Sequence, residues 1–159
     1  MAASARLSSV EPPWVHLLVL GPGETARAAL GTPPGFAGRI IDGRRCRTKG
    51  ALLSEFARVL QYPRDAGRNW DAFEELLADL EWLPAEGYLL IVSDAHELLA
   101  GSDDEYERFV EIAEDVAKEW SIPRTGQWPR PAVPFHVCLA VPRDKVGARS
   151  DWRVPPLGR

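Results

Sequence analysis

Short apolar runs alternate with amphipathic helical stripes along this chain, and that alternation restricts its fold more than any other feature. The runs cover residues 14–20, 39–41, 88–92 and 135–141, each of strand length. Between them, residues 51–60 place Leu52, Leu53, Phe56, Val59 and Leu60 on one stripe. Residues 70–80 do the same with Trp70, Phe73, Leu76, Leu77 and Leu80, so Trp70 is expected in the core. The third pattern, residues 106–120, runs through Tyr106, Phe109, Val110, Ala113, Val116, Ala117 and Trp120. Ser102 with Glu105 three residues on predicts a reciprocal capping box at its start. Parallel neighbours need crossover connections, so strands alternating with helices predict an α/β fold with a small, mostly parallel sheet.

The remaining segments are punctuation. Residues 122–134 carry Pro123, Pro129, Pro131 and Pro134 and read as a surface loop before the last strand. From Arg143 onward the chain is basic and Pro-containing, which predicts a loosely held tail. Residues 1–13 lack the basic patch and long apolar run of a leader, and residues 14–20 are too short to cross a bilayer. Cys46 and Cys138 stand far apart and outside any C-x-x-C pair, which suggests buried thiols. These features predict a soluble, cytoplasmic protein, monomeric and without a cofactor or metal.

Charge is distributed unevenly. Of the 23 acids, fifteen lie between Asp71 and Ala117, where Arg108 is the one basic residue; eight remain elsewhere beside eighteen of the 19 Lys and Arg. Within the second helical pattern, Asp71, Glu75 and Asp79 fall in one exposed row opposite the apolar stripe. Like charges at this spacing destabilise a helix by about 0.2–0.5 kcal/mol per pair. No Lys or Arg occurs from Asp71 to Glu86, so nothing local is expected to neutralise the row. A rigid row of unpaired carboxylates suits docking into a cluster of Arg, Lys and protonated His, and clefts of that kind belong to nucleic-acid-handling enzymes. The competing explanation is a solvated, solubilising face.

One string sharpens the choice. Pro63 and Gly67 mark a turn, Asn69 is a good N-cap, and the pattern Gly67-x-Asn69-x-Asp71-Ala72 is followed by Glu75. Together with Ile41-Asp42-Gly43 at a strand end, this resembles the barstar family of intracellular ribonuclease inhibitors over residues 39–120 and 135–141. The resemblance implies a barstar-like domain over residues 36–142, an extension at 1–35 adding a strand, and a tail at 143–159. It implies no enzymatic activity, but a protein partner: a basic ribonuclease or nuclease toxin whose active site is plugged by the acidic helix, carboxylates standing in for RNA phosphate. Asp71 matches the acid near the helix start, and Glu75 the acid central to inhibition. Gly67, Arg68 and Asn69 match the presenting turn, and Asp115 is the candidate for a late acid, with Glu114 close behind. Asp65, Glu74 and Asp79 would shape the rim. Departures are clear: the family's central acid is typically Asp, one methylene shorter than Glu75, and the flanking aromatics are here Asp65, Ala66 and Glu74. Glu55 reads as a distant surface acid.

Two other classes compete. An immunity or adaptor protein of the same fold for another basic toxin or enzyme would show the same charge pattern. A nucleotide-binding enzyme is suggested by Gly21-x-Gly23-x-x-Ala26 after the first run, with Asp42 as the ribose-binding acid. Against it stand the short helical stretch before Gly31 and the placement of Glu24 where a pyrophosphate needs positive potential. His16, His96 and His136 are isolated in sequence and read as structural, and Asp94, His96 and Glu97 have no recognisable metal-ligand spacing.

Overall fold

A computed structural model describes residues 2–63 and 67–159. The apolar runs become β1 (Val15–Leu20), β2 (Phe36–Asp42), β3 (Gly87–Ser93) and β4 (Phe135–Pro142), paired in the order β1-β4-β3-β2. Every pairing is parallel. β2 is longer than its apolar stretch because Phe36, Ala37 and Gly38 continue the ladder against Gly87, Tyr88 and Leu89. Backbone pairing, not side-chain polarity, sets its start. At its other end Gly43 lies so close to the backbone that a Cβ would sit 2.3 Å from the Ser93 carbonyl oxygen. Only glycine fits there, which is the physical content of the Ile41-Asp42-Gly43 string.

Two short helices, α1 (Ala2–Leu7) and α2 (Ala26–Ala29), precede three longer ones: α3 (Lys49–Val59), α4 (Trp70–Asp79) and α5 (Asp103–Trp120). Each long helix starts at a side-chain cap. Thr48 accepts from the Ala51 amide at 3.2 Å, Asn69 from Ala72 at 2.8 Å, and Ser102 from Glu105 at 3.2 Å. Only this half of the capping box expected at Ser102 forms. The Ser102 amide donates to the Leu99 carbonyl instead, and the Glu105 carboxylate turns to Trp70.

Strand side chains alternate between faces, so a strand buried on both sides is apolar throughout. Leu90, Val92, Val137 and Leu139 join the core beneath α3, α4 and α5, where Phe73 lies between Phe56 at 5.0 Å and Phe109 at 6.2 Å. Truncating Phe73 to alanine should cost about 3–5 kcal/mol. Leu89, Ile91, Cys138 and Ala140 face the other way, into a second cluster closed by Ala3 and Leu7 of α1, Ala26 of α2, Leu30 and Leu157. The N-terminal residues therefore add an edge strand and also cover the second face of the sheet.

The tail is not loosely held. The Leu17 amide donates to the Pro155 carbonyl and the Leu157 amide to the Leu17 carbonyl, both at 2.8 Å. The Tyr106 hydroxyl donates to the Trp152 carbonyl at 2.7 Å. Two buried apolar residues, Trp152 and Leu157, outweigh the basic, proline-containing character of the segment. His16 and His136 are not isolated either. His136 Nε2 lies 2.7 Å from the Ser9 carbonyl oxygen, which can only accept, so Nε2 carries the proton. Nδ1 of His136 is then the acceptor for the His16 Nε2–H, at 2.9 Å. Among the described residues, no helix is long and apolar enough to cross a membrane.

Candidate functional site

The presenting turn explains its own sequence. Gly67 has φ +70°, and a Cβ there would lie 3.0 Å from the Ala72 side chain, so Gly67 and Ala72 select each other. Asn69 closes the helix start through its bond to the Ala72 amide. Gly67, Arg68 and Asn69 are exposed, while Asp65 lies outside the described residues. Asp71 sits in the first turn, where the helix dipole favours a carboxylate.

α4 is held at both ends by groups distant in sequence. At its start, Trp70 Nε1–H donates to Glu105 Oε2 at 2.9 Å. Trp70 is thus half-buried against the core with its polar edge used, not fully interior as its stripe position suggested. At its end, α4 has no basic residue in the last turn. Its orphan carbonyls are met from outside: Trp120 Nε1–H donates to Leu77 at 2.9 Å and Arg130 Nη1–H to Ala78 at 2.7 Å. The Arg130 guanidinium also lies 3.4 Å from the Trp120 ring centroid.

The solvent side of α4 forms one wall of a shallow cavity of about 490 Å³ lined by Asp71, Glu74, Glu75, Asp79, Glu119 and Arg124. Asp71 and Glu75 are exposed, and Glu74 and Asp79 are half-buried. Partial burial pushes the Glu74 carboxyl above the ordinary range; next comes the nearby charge of Asp115, with Arg108 opposing and Asp71 and Glu119 adding to the rise. Asp115 therefore belongs to the same electrostatic field as α4. Burial and then Asp115 and Glu111 raise Glu114 on α5 as well.

Cations from outside the sequence window do stand near the acidic row, paired to Glu119. Arg124, from the proline-rich loop, binds Glu119 at 3.3 Å and lines the cavity, and Arg130 reaches the same carboxylate at 3.8 Å. Nothing in the window from Asp71 to Glu86 could have revealed them. Even so, among the described residues Asp71, Glu75, Asp79 and Asp115 take part in no ion pair. Glu119 and Arg124, which line the cavity, and Arg130, which meets Glu119, are neighbours of the acidic row that sequence reasoning missed. Their signal was the arginines within the proline-rich loop directly after the third helix.

Other sequence candidates are used structurally. Glu55 is buried, not a surface acid: it accepts from the Asp42 amide at 3.0 Å and binds Arg58 through both oxygens at 2.9 Å. Asp94 faces Arg44 at 3.7 Å, and Glu97 pairs with Arg47. The thiols of Cys46 and Cys138 are both buried and pushed up to about 12, chiefly by burial, which disfavours the thiolate form.

Gly21, Gly23, Ala26 and Asp42 do not come together as a dinucleotide-binding arrangement. Gly21 donates its amide to Glu24 Oε1 at 3.0 Å, and Glu24 also binds Arg159, which brings its carboxyl down to about 2. The chain's own carboxylate thus occupies the position a pyrophosphate would need. Only the four-residue α2 follows Gly21, Gly23 and Ala26. Asp42 closes β2 at the opposite edge of the sheet from β1, three strand spacings or about 14 Å away. A dinucleotide fold places those two strands side by side.

Comparison with known proteins gives one family. The family described as Barstar (barnase inhibitor) matches residues 36–140, which runs from the first residue of β2 into β4 and includes all of α3, α4 and α5. No curated protein and no solved structure matches the chain. With the parallel sheet, the flanking helices and the family match in agreement, the chain belongs to the barstar family, a family of inhibitors.

Proposed function

We propose that this protein inhibits a barnase-like ribonuclease by setting α4 into its active-site cleft. Asp71 and Glu75 occupy the positions of RNA phosphates, and Glu74, Asp79 and Asp115 shape the rim, with the turn at Gly67, Arg68 and Asn69 against the enzyme's margin. Asp65 is assigned to the same rim from sequence alone. The observation that carries this reading is the row of carboxylates, without an ion pair among the described residues, on a helix fixed at both ends by Trp70–Glu105 and by Trp120 and Arg130. A pre-positioned acid loses little freedom on binding, and its field accelerates encounter with a cationic partner. The chain needs no cofactor for this, performs no chemistry, and acts as a monomer in the cytoplasm, where a ribonuclease would otherwise meet cellular RNA.

Titration of barnase activity on RNA with the purified protein tests the reading. Stoichiometric inhibition that weakens as salt rises is the expected result. Failure to inhibit at low salt would remove a barnase-like enzyme as target and turn the search to another basic toxin or enzyme docking on the same acids.

A further inference from the structure

Trp128, in the loop between α5 and β4, leaves 76% of its surface exposed. The loop is built, not slack. Arg124 and Arg130 exchange two backbone hydrogen bonds, at 2.9 and 3.1 Å, closing residues 124–130 into an antiparallel hairpin. Arg130 fastens that hairpin to the end of α4 through the Ala78 carbonyl and to α5 by stacking on Trp120. At the tip Trp128 itself adopts φ +60°, a left-handed conformation that glycine or asparagine takes at far lower cost than a bulky ring. A loop needing only a turn gains nothing from tryptophan here.

Trp128 lines a cavity of about 310 Å³ whose apolar wall includes Tyr88, Trp120, Pro129 and Val133. It shares Asp79 and Arg124 with the acidic cavity beside α4, so the two recesses are neighbours. An exposed aromatic anchor next to unpaired charge is the composition of a binding hot spot, in which a ring excludes water from neighbouring ion pairs.

Resting on the inhibitor reading above, we propose that the 124–130 hairpin is a second docking element for the same basic ribonuclease. Trp128 closes over an apolar side chain at the margin of the enzyme's cationic cleft, seated in the recess lined by Tyr88 and Val133. Arg124, held by Glu119, faces the enzyme's surface beyond that cleft. Selectivity among related ribonucleases then arises at this apolar margin, and the acids of α4 supply the attraction common to all of them.

The experiment compares the affinity of the full chain for barnase with that of Trp128→Ala, Trp128→Phe and Glu75→Gln, at low and high salt, with melting temperatures as the control on folding. Trp128→Ala should bind about tenfold more weakly at both salt concentrations, with an unchanged melting temperature, and Trp128→Phe should recover most of the loss. The Glu75→Gln loss should instead shrink as salt rises. Trp128→Ala binding within about twofold of the unaltered chain while Glu75→Gln is weakened would overturn the hairpin's role and leave the acidic helix standing. Absence of binding by the unaltered chain would overturn both.

Discussion

The indole N–H of Trp70 and the carboxylate of Glu105 meet at 2.9 Å, tying the first residue of the acidic helix to the first turn of α5. The bond fixes where the row of carboxylates begins relative to the rest of the molecule. Trp70→Phe keeps most of the packing against Phe73 and removes the donor. We expect it to lower stability by about 1–2 kcal/mol in denaturant titration, in the range of a hydrogen bond to a charged acceptor. Glu105→Gln retains an acceptor and should cost less. Equal losses for both variants would show that the charge of Glu105, not the bond, matters.

Glu55 provides a second test, of the core beneath the site. Its carboxylate is buried and meets the Asp42 amide where β2 ends. Glu55→Ala leaves that amide without its partner and should cost about 1–3 kcal/mol of stability. Glu55→Gln, which keeps an acceptor, should cost less. A melting temperature for Glu55→Ala equal to that of the unaltered chain would contradict the assignment.

Acid should loosen the N-terminal cover. His16 is lowered from the usual 6.5 to about 3, first by burial, then by His136 and by Arg6 of α1; burial and Arg6 lower His136 too, against the carbonyl of Ser9. The unfolded chain therefore takes up protons on these rings below about pH 6.5 while the folded chain refuses them. The His16 contribution is fully present above pH 6.5 and is lost progressively down to about 3, with a slope of at most about 1.4 kcal/mol per pH unit, and His136 adds to it in the same direction. Lowered carboxyls such as Glu24 and Asp42 act only near and below their own usual range, so the fall between about pH 6.5 and 5 belongs to the histidines. Stability measured across that window should fall less steeply in His16→Gln than in the unaltered chain.

Much of this architecture was legible in the sequence. Periodicity located every strand of the sheet and the three long helices, because burial on both faces of a parallel sheet leaves continuous apolar runs. Asn69 and Ser102 were readable as caps, and the row at Asp71, Glu75 and Asp79 followed from helical spacing. What was hidden depended on partners distant along the chain. Arg130 reaches Ala78 across 52 residues, and His16 reaches His136 across 120. No local window contains both members of either pair. Glu55 was a different kind of miss. It follows Leu52 by three residues and precedes Phe56 and Val59, so its place on the apolar side of α3 could have been read from spacing. The tail was misjudged on composition, since Trp152 and Leu157, two residues in a basic stretch, are enough to seat it.

The measurement that tests the central claim most directly is the affinity of Glu75→Ala for barnase beside that of Glu11→Ala, an exposed acid in the segment that follows α1. A carboxylate inserted among active-site cations should cost about 2–5 kcal/mol when removed, with the melting temperature nearly unchanged. Glu11→Ala should stay within about 0.5 kcal/mol of the unaltered chain. A loss at Glu75 no larger than the loss at Glu11 would contradict the account.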